Sequence, residues 1–270
     1  MTIHLREITL SDNGNLPNEF PFNLSVVKNL DCLQFKSPIT FFVGENGSGK
    51  STILEAIATG AQLPTIGSTE TSTDDTLDGI NKLSNHLKWV WSKRIRTGFF
   101  MRSEDFFGFA KRISSEVRYL KEQLESDEES HEGQSTFAKT LSKAGYARDY
   151  RALKDLYGDG LDTQSHGESY FKLFNARFRP NGLYLMDEPE APLSPNRQLT
   201  LIAILKQMID QNAQFIIATH SPILLAYPDA TIYDFTGGQI VETDYDSLEH
   251  VQITRQFLNN PESYLKHLLQ

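Results

Sequence analysis

The sequence predicts an α/β fold with a mixed β-sheet core, on three observations. Short apolar runs end in chemically distinctive tips: "ITFFV" runs into "GENGSGKST", "LYLMDE" ends in two acids, and "QFIIAT" ends in "HSP". Helical periodicity separates these runs, as at Phe106–Leu124 and Asn196–Asn212. Residues 3–43 are β-rich, which places an antiparallel β subdomain ahead of the strand-helix alternation.

Taken in order, "IHLREITL" alternates apolar and polar over much of its length, and "FNLSVV" and "CLQF" read as further strands. Ile39–Val43 is apolar apart from Thr40 and reads as a buried strand. A helix opens at Ser51–Thr59. Residues 64–79, "PTIGSTETSTDDTLDG", are polar and turn-rich, and read as a loop. "RTGFFM" is another strand. In the next helix Phe106, Phe109, Ile113, Val117 and Leu120 share one face. An acidic loop, "ESDEESHEGQS", leads to a second helix at about Thr136–Tyr157. From Gly182 strand and helix alternate, closing with the hairpin "TIYDF–TGG–QIVETD". The expected organisation is one domain over 1–270, with a helical subdomain at about 104–178 inserted in its core.

The stretch Gly44–Thr52 carries the first chemistry. Three glycines between a strand and a helix penalise regular structure and need a local reason. The spacing G-x-x-x-x-G-K-[ST] supplies it. The backbone N–H groups of Gly44, Glu45, Asn46, Gly47, Ser48 and Gly49 would wrap a polyphosphate, with Thr52 beginning the helix behind them. Lys50 would reach the β- and γ-phosphates and Ser51 would offer its hydroxyl to Mg²⁺. A helix N-terminus adds positive potential at the same point.

Bulk properties set bounds. The chain has 270 residues, 39% hydrophobic and 23% charged, in the range of ordinary soluble proteins. A single cysteine, Cys32, excludes an internal disulfide framework and is expected in the core. The N-terminus has no secretory pattern and no apolar run spans a membrane, so a cytoplasmic protein without membrane insertion is expected. A net charge of -9 argues against a chain that coats nucleic acid by bulk electrostatics. The basic stretches "KWVWSKRIR" and "KRISSEVRYLK" read as solvated faces or strand ends.

Three further tips complete a set. Asp187, at the end of "LYLMDE", fits a carboxylate that holds Mg²⁺, and Glu188 after it fits a group that polarises water. His220 lies at a strand end, where parallel sheets place ligands, within reach of a γ-phosphate and an attacking water. In "TQSHGESYFKLF", Ser165 and Gly167 stand at the start of a helix; Ser165 is either an ordinary helix cap or a phosphate contact.

In order and spacing these motifs resemble the ATP-binding-cassette (ABC) ATPases, P-loop NTPases in which a Walker A loop precedes a helical subdomain, signature, Walker B strand, D-loop and switch histidine. "DEPEAPLSP" and "THSP" look more like the soluble SMC and double-strand-break-repair branch, and "SHGES" with "DEPEA-LSP" resembles its small stand-alone bacterial ATPases. The resemblance implies ATP and Mg²⁺ as cofactors and an ATP-dependent head-to-tail homodimer. It implies Lys50, Glu188 and His220 as catalytic groups, Ser51 and Asp187 at the metal, and Ser165 and Gly167 as contacts across the dimer. The D-loop falls at Leu193–Asn196. DNA or a protein effector is the implied further partner, in a nucleic-acid-related or defence process. A transporter subunit and a non-hydrolysing clamp are the alternatives. His166 replaces the usual signature glycine, and no Q-loop glutamine follows "RTGFFMRSEDFF", where Ser103 or Glu104 stands instead.

Overall fold

The computed structural model describes residues 2–11, 16–66, 75–125, 136–157 and 166–269. Its centre is a six-stranded sheet, formed by β3 (Ile39–Val43), β5 (Gly98–Arg102), β6 (Leu183–Asp187), β7 (Gln214–Ala218), β8 (Thr231–Asp234) and β9 (Val241–Thr243). Their order is β5-β6-β7-β3-β8-β9, parallel except for the β8–β9 hairpin. A second, antiparallel sheet has the order β2-β1-β4, from β1 (Leu5–Leu10), β2 (Cys32–Gln34) and β4 (Leu87–Trp91).

The central strands are mostly apolar because each face meets its own core. Along β3, Phe41 packs into one core and Phe42 into the other. Tyr184 and Met186 of β6 join the first core, while Leu183 and Leu185 join the second. Ile217 and Ile216 of β7 divide in the same way, the period of two expected of a strand. The first core is roofed by α4 (Ser103–Glu125), α5 (Thr136–Tyr157), α6 (His166–Arg177) and α7 (Pro195–Asp210). Against the other face lie α2 (Lys50–Gly60), α3 (Asp75–Asn85) and the antiparallel sheet.

Gln214 joins the two sheets. Its side chain is fully buried and fully used: Oε1 accepts from the N–H groups of His4 and Leu5 at 2.9 Å each, and Nε2 donates to the Leu5 carbonyl at 2.9 Å. A buried amide satisfied on both sides costs little and fixes register. Under the helices an aromatic cluster seats α6 on the central sheet: Phe178 stacks on Phe174 and Phe99, and meets Tyr184 and Phe215 edge-on.

Three local expectations are corrected. "FNLSVV" is not a strand; Ser25–Lys28 forms a short helix, α1, that turns Val26 and Val27 into the core. Residues 75–79 belong to α3, whose Ile80 and Leu83 are buried, while residues 67–74 of the expected loop lie outside the described residues. Cys32 is exposed, because β2 alternates and Leu33 takes the inward position. The basic stretches sit on the outer edge of β4 and the outer face of α4, with Lys88, Lys93, Arg94, Arg96, Lys111, Arg112, Arg118 and Lys121 exposed.

Candidate nucleotide site

The strand order sets the site. β3 lies between β7 and β8, and β6 lies beside β7, all parallel, so their C-terminal tips share one edge. That edge is where open α/β sheets bind ligands. Gly44–Gly49 leaves the tip of β3, Asp187 and Glu188 leave β6, and His220 leaves β7. The register makes this concrete: Phe42 and Asp187 both pair with Ala218.

Gly44, Gly47 and Gly49 have φ of 137°, 79° and 96°, values that side chains resist. At Gly49 a Cβ would also run into Val26 Cγ1, so α1 backs the loop directly. Lys50 begins α2 and is 5% exposed. Its Nζ donates to the loop carbonyls of Gly44 at 2.7 Å and Glu45 at 2.9 Å, so the ammonium bridges the mouth of the loop. Burial pulls its pKa below 10.5, opposed by the nearby charges of Asp187 and Glu188. Ser51 lies one residue further on, and its hydroxyl hydrogen-bonds Asp187. Burial raises the Asp187 carboxyl above its ordinary 3.8, and the Ser51 bond works against that shift.

Glu188 holds a φ of 49°, a left-handed conformation that costs about 1–3 kcal/mol in a non-glycine residue and persists where surrounding structure imposes it. The imposing contact is its N–H, which donates to the Ala218 carbonyl at 2.9 Å and prolongs the β6–β7 ladder. The strain turns the carboxylate toward His220, whose Nε2 lies 3.7 Å from Glu188 Oε1. Burial, then the Lys50 charge, lowers the His220 pKa below 6.5, so the imidazole is neutral at neutral pH. After His220, Ser221 donates from Oγ to Gln198 at 2.6 Å, and Gln198 donates to the Leu193 carbonyl at 3.2 Å. The tip of β7 and the segment Leu193–Asn196 are thus tied through α7.

The signature side is different. Ser165 lies outside the described residues; His166 and Gly167 open α6. Asn46, Ser48 and Thr52 take the loop and helix positions expected of them.

Several residues at this edge escaped the sequence reading. Arg102 ends β5 opposite Asp187 in the sheet register and forms an ion pair with Glu55 of α2. Ser103 and Glu104, which stand where the glutamine is missing, open α4, and Arg102 just before them joins Glu188 and Lys50 as a charge near Asp187. His250, on α9 (Glu249–Asn259), borders with His220, Gly44 and Glu45 a cavity of about 350 Å³. A cavity of about 370 Å³ lies on the other side of the loop, between Asn23–Val26, Glu45–Ser48 and Phe235–Gly238. Glu55 had a weak signal, standing one helical turn after Ser51; His250 had none.

A phosphate loop, an acidic strand end and a histidine strand end on adjacent parallel strands, with an antiparallel sheet alongside, define a P-loop NTPase fold of ABC-ATPase type. Comparisons with known proteins agree. An AAA domain model matches residues 21–94, and an AAA ATPase domain model matches residues 166–225. The chain is 24% identical over 191 residues to the energy-coupling factor transporter ATP-binding protein EcfA2 of Streptococcus thermophilus, a match covering 67% of this chain and 60% of that protein. To EcfA2 of Streptococcus sanguinis it is 24% identical over 273 residues, covering 94% and 88%. Among solved structures, an ATP-binding cassette of an ABC transporter aligns with TM-score 0.51 at 17% identity, covering 96% of this chain and 98% of that one. An Smc head bound to the C-winged helix domain of ScpA aligns with TM-score 0.50 at 14% identity, covering 90% and 98%. Together these matches support the ABC-ATPase type of fold.

Proposed function

We propose that this chain binds MgATP at the shared strand edge and hydrolyses it to ADP and phosphate, in a homodimer that sandwiches the nucleotide. The observation that carries the reading is the convergence of Lys50, Ser51, Asp187, Glu188 and His220 on that edge. The Ser51–Asp187 hydrogen bond pairs a hydroxyl and a carboxylate, the hard oxygen donors that Mg²⁺ takes beside phosphate oxygens. Ser51 and Asp187 would hold the ion, which supplies charge neutralisation on the phosphates.

The chain's own groups then have distinct parts. Gly44–Gly49 offers backbone N–H groups to the phosphates, and Lys50 exchanges its loop carbonyls for phosphate oxygens. Glu188 takes a proton from the attacking water. The neutral His220 donates a hydrogen bond toward the γ-phosphate without competing for that proton. The cavity beside Asn23–Val26 is the space open to the base. One subunit leaves the γ-phosphate bare on its far side. The start of α6 from a second copy, with Ser165 and Gly167, would cover it, so ATP joins the subunits and hydrolysis releases them.

The chain is read as one cytoplasmic domain with the helical insertion at about 104–178; among the described residues no helix is long and apolar enough to cross a membrane. The SMC-like resemblance favours a nucleic-acid-related or defence process, with DNA or a protein effector as partner. A transporter ATPase is the second reading, favoured by the EcfA2 matches. Steady-state hydrolysis of MgATP, with and without duplex DNA, tests the proposal. The wild type should turn over, and Lys50→Ala should lose at least about a hundredfold in kcat, as removal of a charge-stabilising donor does. Equal turnover in the two proteins would refute the site.

A further inference from the structure

The stretch "KWVWSKRIR" has no part in the nucleotide site. Its two tryptophans, Trp89 and Trp91, lie two apart on β4 and so share a face, with their rings stacked 6.2 Å apart at 19°. β4 is an edge strand of the antiparallel sheet, and both rings are only partly buried. Trp89 is held from below: a Cβ at Gly60, the last residue of α2, would run into its ring. Past the end of the strand come Lys93, Arg94 and Arg96, all exposed. Among the described residues none of the three forms an ion pair.

Trp89 lines a cavity of about 400 Å³, within the range that takes small ligands. Gln62, Arg94, and Asn81 and Asn85 from successive turns of α3 also border it. The three amide residues are exposed and, among the described residues, make no side-chain hydrogen bond. Nor, among those residues, does any carboxylate line the cavity. Lys50 begins α2 and Gly60 ends it, about 15 Å apart along the helix, so this is a separate place from the phosphate loop.

Charges on an edge strand discourage pairing with another strand. That role does not account for Lys93, Arg94 and Arg96, which lie beyond the strand, nor for an amide-lined cavity beside an indole. Together the parts match a polynucleotide. Amides both donate and accept, as the edge of a base requires. An indole offers a face on which any base stacks, and unpaired cations offset backbone phosphates. A base inside a duplex is stacked and paired, so only an unpaired one enters such a cavity.

We propose that this face binds single-stranded nucleic acid. One base stacks against Trp89 with its edge on Gln62, Asn81 and Asn85, while Lys93, Arg94 and Arg96 follow the backbone. It is where the nucleic-acid partner of the proposed function binds, and it rests on that part of the reading; ATP hydrolysis is not needed for it.

Anisotropy of a labelled single strand of about ten nucleotides, DNA and RNA in parallel, measures the binding without ATP. We expect the single strand to bind at least about tenfold tighter than a duplex of the same sequence, which must first unpair and unstack. AMP should bind far more weakly than the strand. Trp89→Ala should weaken strand binding about tenfold, as loss of one stacked base does. Arg94→Ala should make the log–log salt dependence shallower by about 0.7, the share of one phosphate contact. If Trp89→Ala does not fold, Asn81→Ala with Asn85→Ala takes its place, with a loss of about fivefold or more. A duplex or AMP bound as tightly as the single strand overturns the proposal, as does undiminished binding in these variants. Lys50→Ala should hold the strand as the wild type does, and its failure to do so would move the binding to the phosphate loop and overturn this site. A wild type that hydrolyses ATP but binds no single strand overturns this site alone; one that binds the strand and hydrolyses nothing overturns the ATPase reading alone.

Discussion

The strand-edge half of the site and the α6 half are built by opposite means. At the strand edge the backbone takes positive φ at Gly44, Gly47, Gly49 and Glu188, and the charges of Asp187 and Glu188 lie around the buried Lys50. Parallel strands in fixed register hold that strain. The α6 half is regular helix, seated by Phe106, Tyr170, Phe174 and Phe178 packing on one another and on the sheet. Aromatic packing is non-directional beside a hydrogen-bond ladder, so a helix seated this way can shift without breaking the fold. On the proposed reading, the first half would grip phosphate rigidly and the second would move against it.

The largest effect expected from this contrast is at the rigid half. Glu188→Gln keeps the shape of the side chain and loses its proton acceptance, so kcat should fall about 10²–10⁴-fold while ATP still binds. Light scattering should then show an ATP-dependent dimer, and a monomer at saturating ATP would contradict the sandwich.

Two glycine substitutions sharpen the comparison. Gly49→Ala forces a left-handed residue and a clash with Val26, and should destabilise by about 1–3 kcal/mol and abolish nucleotide binding. Gly145→Ala, within α5, meets nothing within 4 Å and should stabilise by about 0.5–1 kcal/mol. Denaturant melts compare them directly; equal effects would erase the distinction.

The smallest effect is a pH dependence of stability. Burial lowers the pKa of both His220 and His250 below 6.5, helped by the Lys50 charge at His220 and by the His220 charge at His250. Between the lowered folded values and 6.5 the unfolded chain binds more protons, so stability falls as pH falls through that window. The raised carboxyls of Asp187, Glu190 and Glu55 act oppositely in a more acid range, because the folded state takes up their protons first. Tm should therefore drop on acidification from neutral pH and then flatten. His250→Gln should reduce the initial slope, and an unchanged slope would show that His250 does not contribute.

Much of the strand edge was legible because its signals are local. A buried strand, a glycine-rich turn and a lysine are adjacent in sequence, and so are an apolar strand and its terminal acids. The helices over 106–124 and 136–157 were legible from period and length. Four-residue α1 is shorter than the window in which a helical period shows, and its paired valines read as strand. The largely polar start of α3 hid a helix that buries Ile80 and Leu83. Arg102 and His250 acquire meaning only from neighbours distant in sequence, which no pattern along the chain records. Cys32 depended on which face of a three-residue strand turned inward.

The central claim is that a working site takes Lys50 from one subunit and the start of α6 from the other. Lys50→Ala and Ser165→Arg should each be inactive alone, because both sites of either homodimer are then broken. In a mixed dimer one interface carries both defects, and the other joins an intact Lys50 loop to an intact α6 start. Mixing the two proteins should restore hydrolysis, to at most about half the sites of each mixed dimer. Adding Glu188→Gln to the Ser165→Arg chain should abolish the recovery, since that chain supplies the surviving catalytic loop. Mixed dimers that form by crosslinking yet hydrolyse no ATP would contradict the shared site.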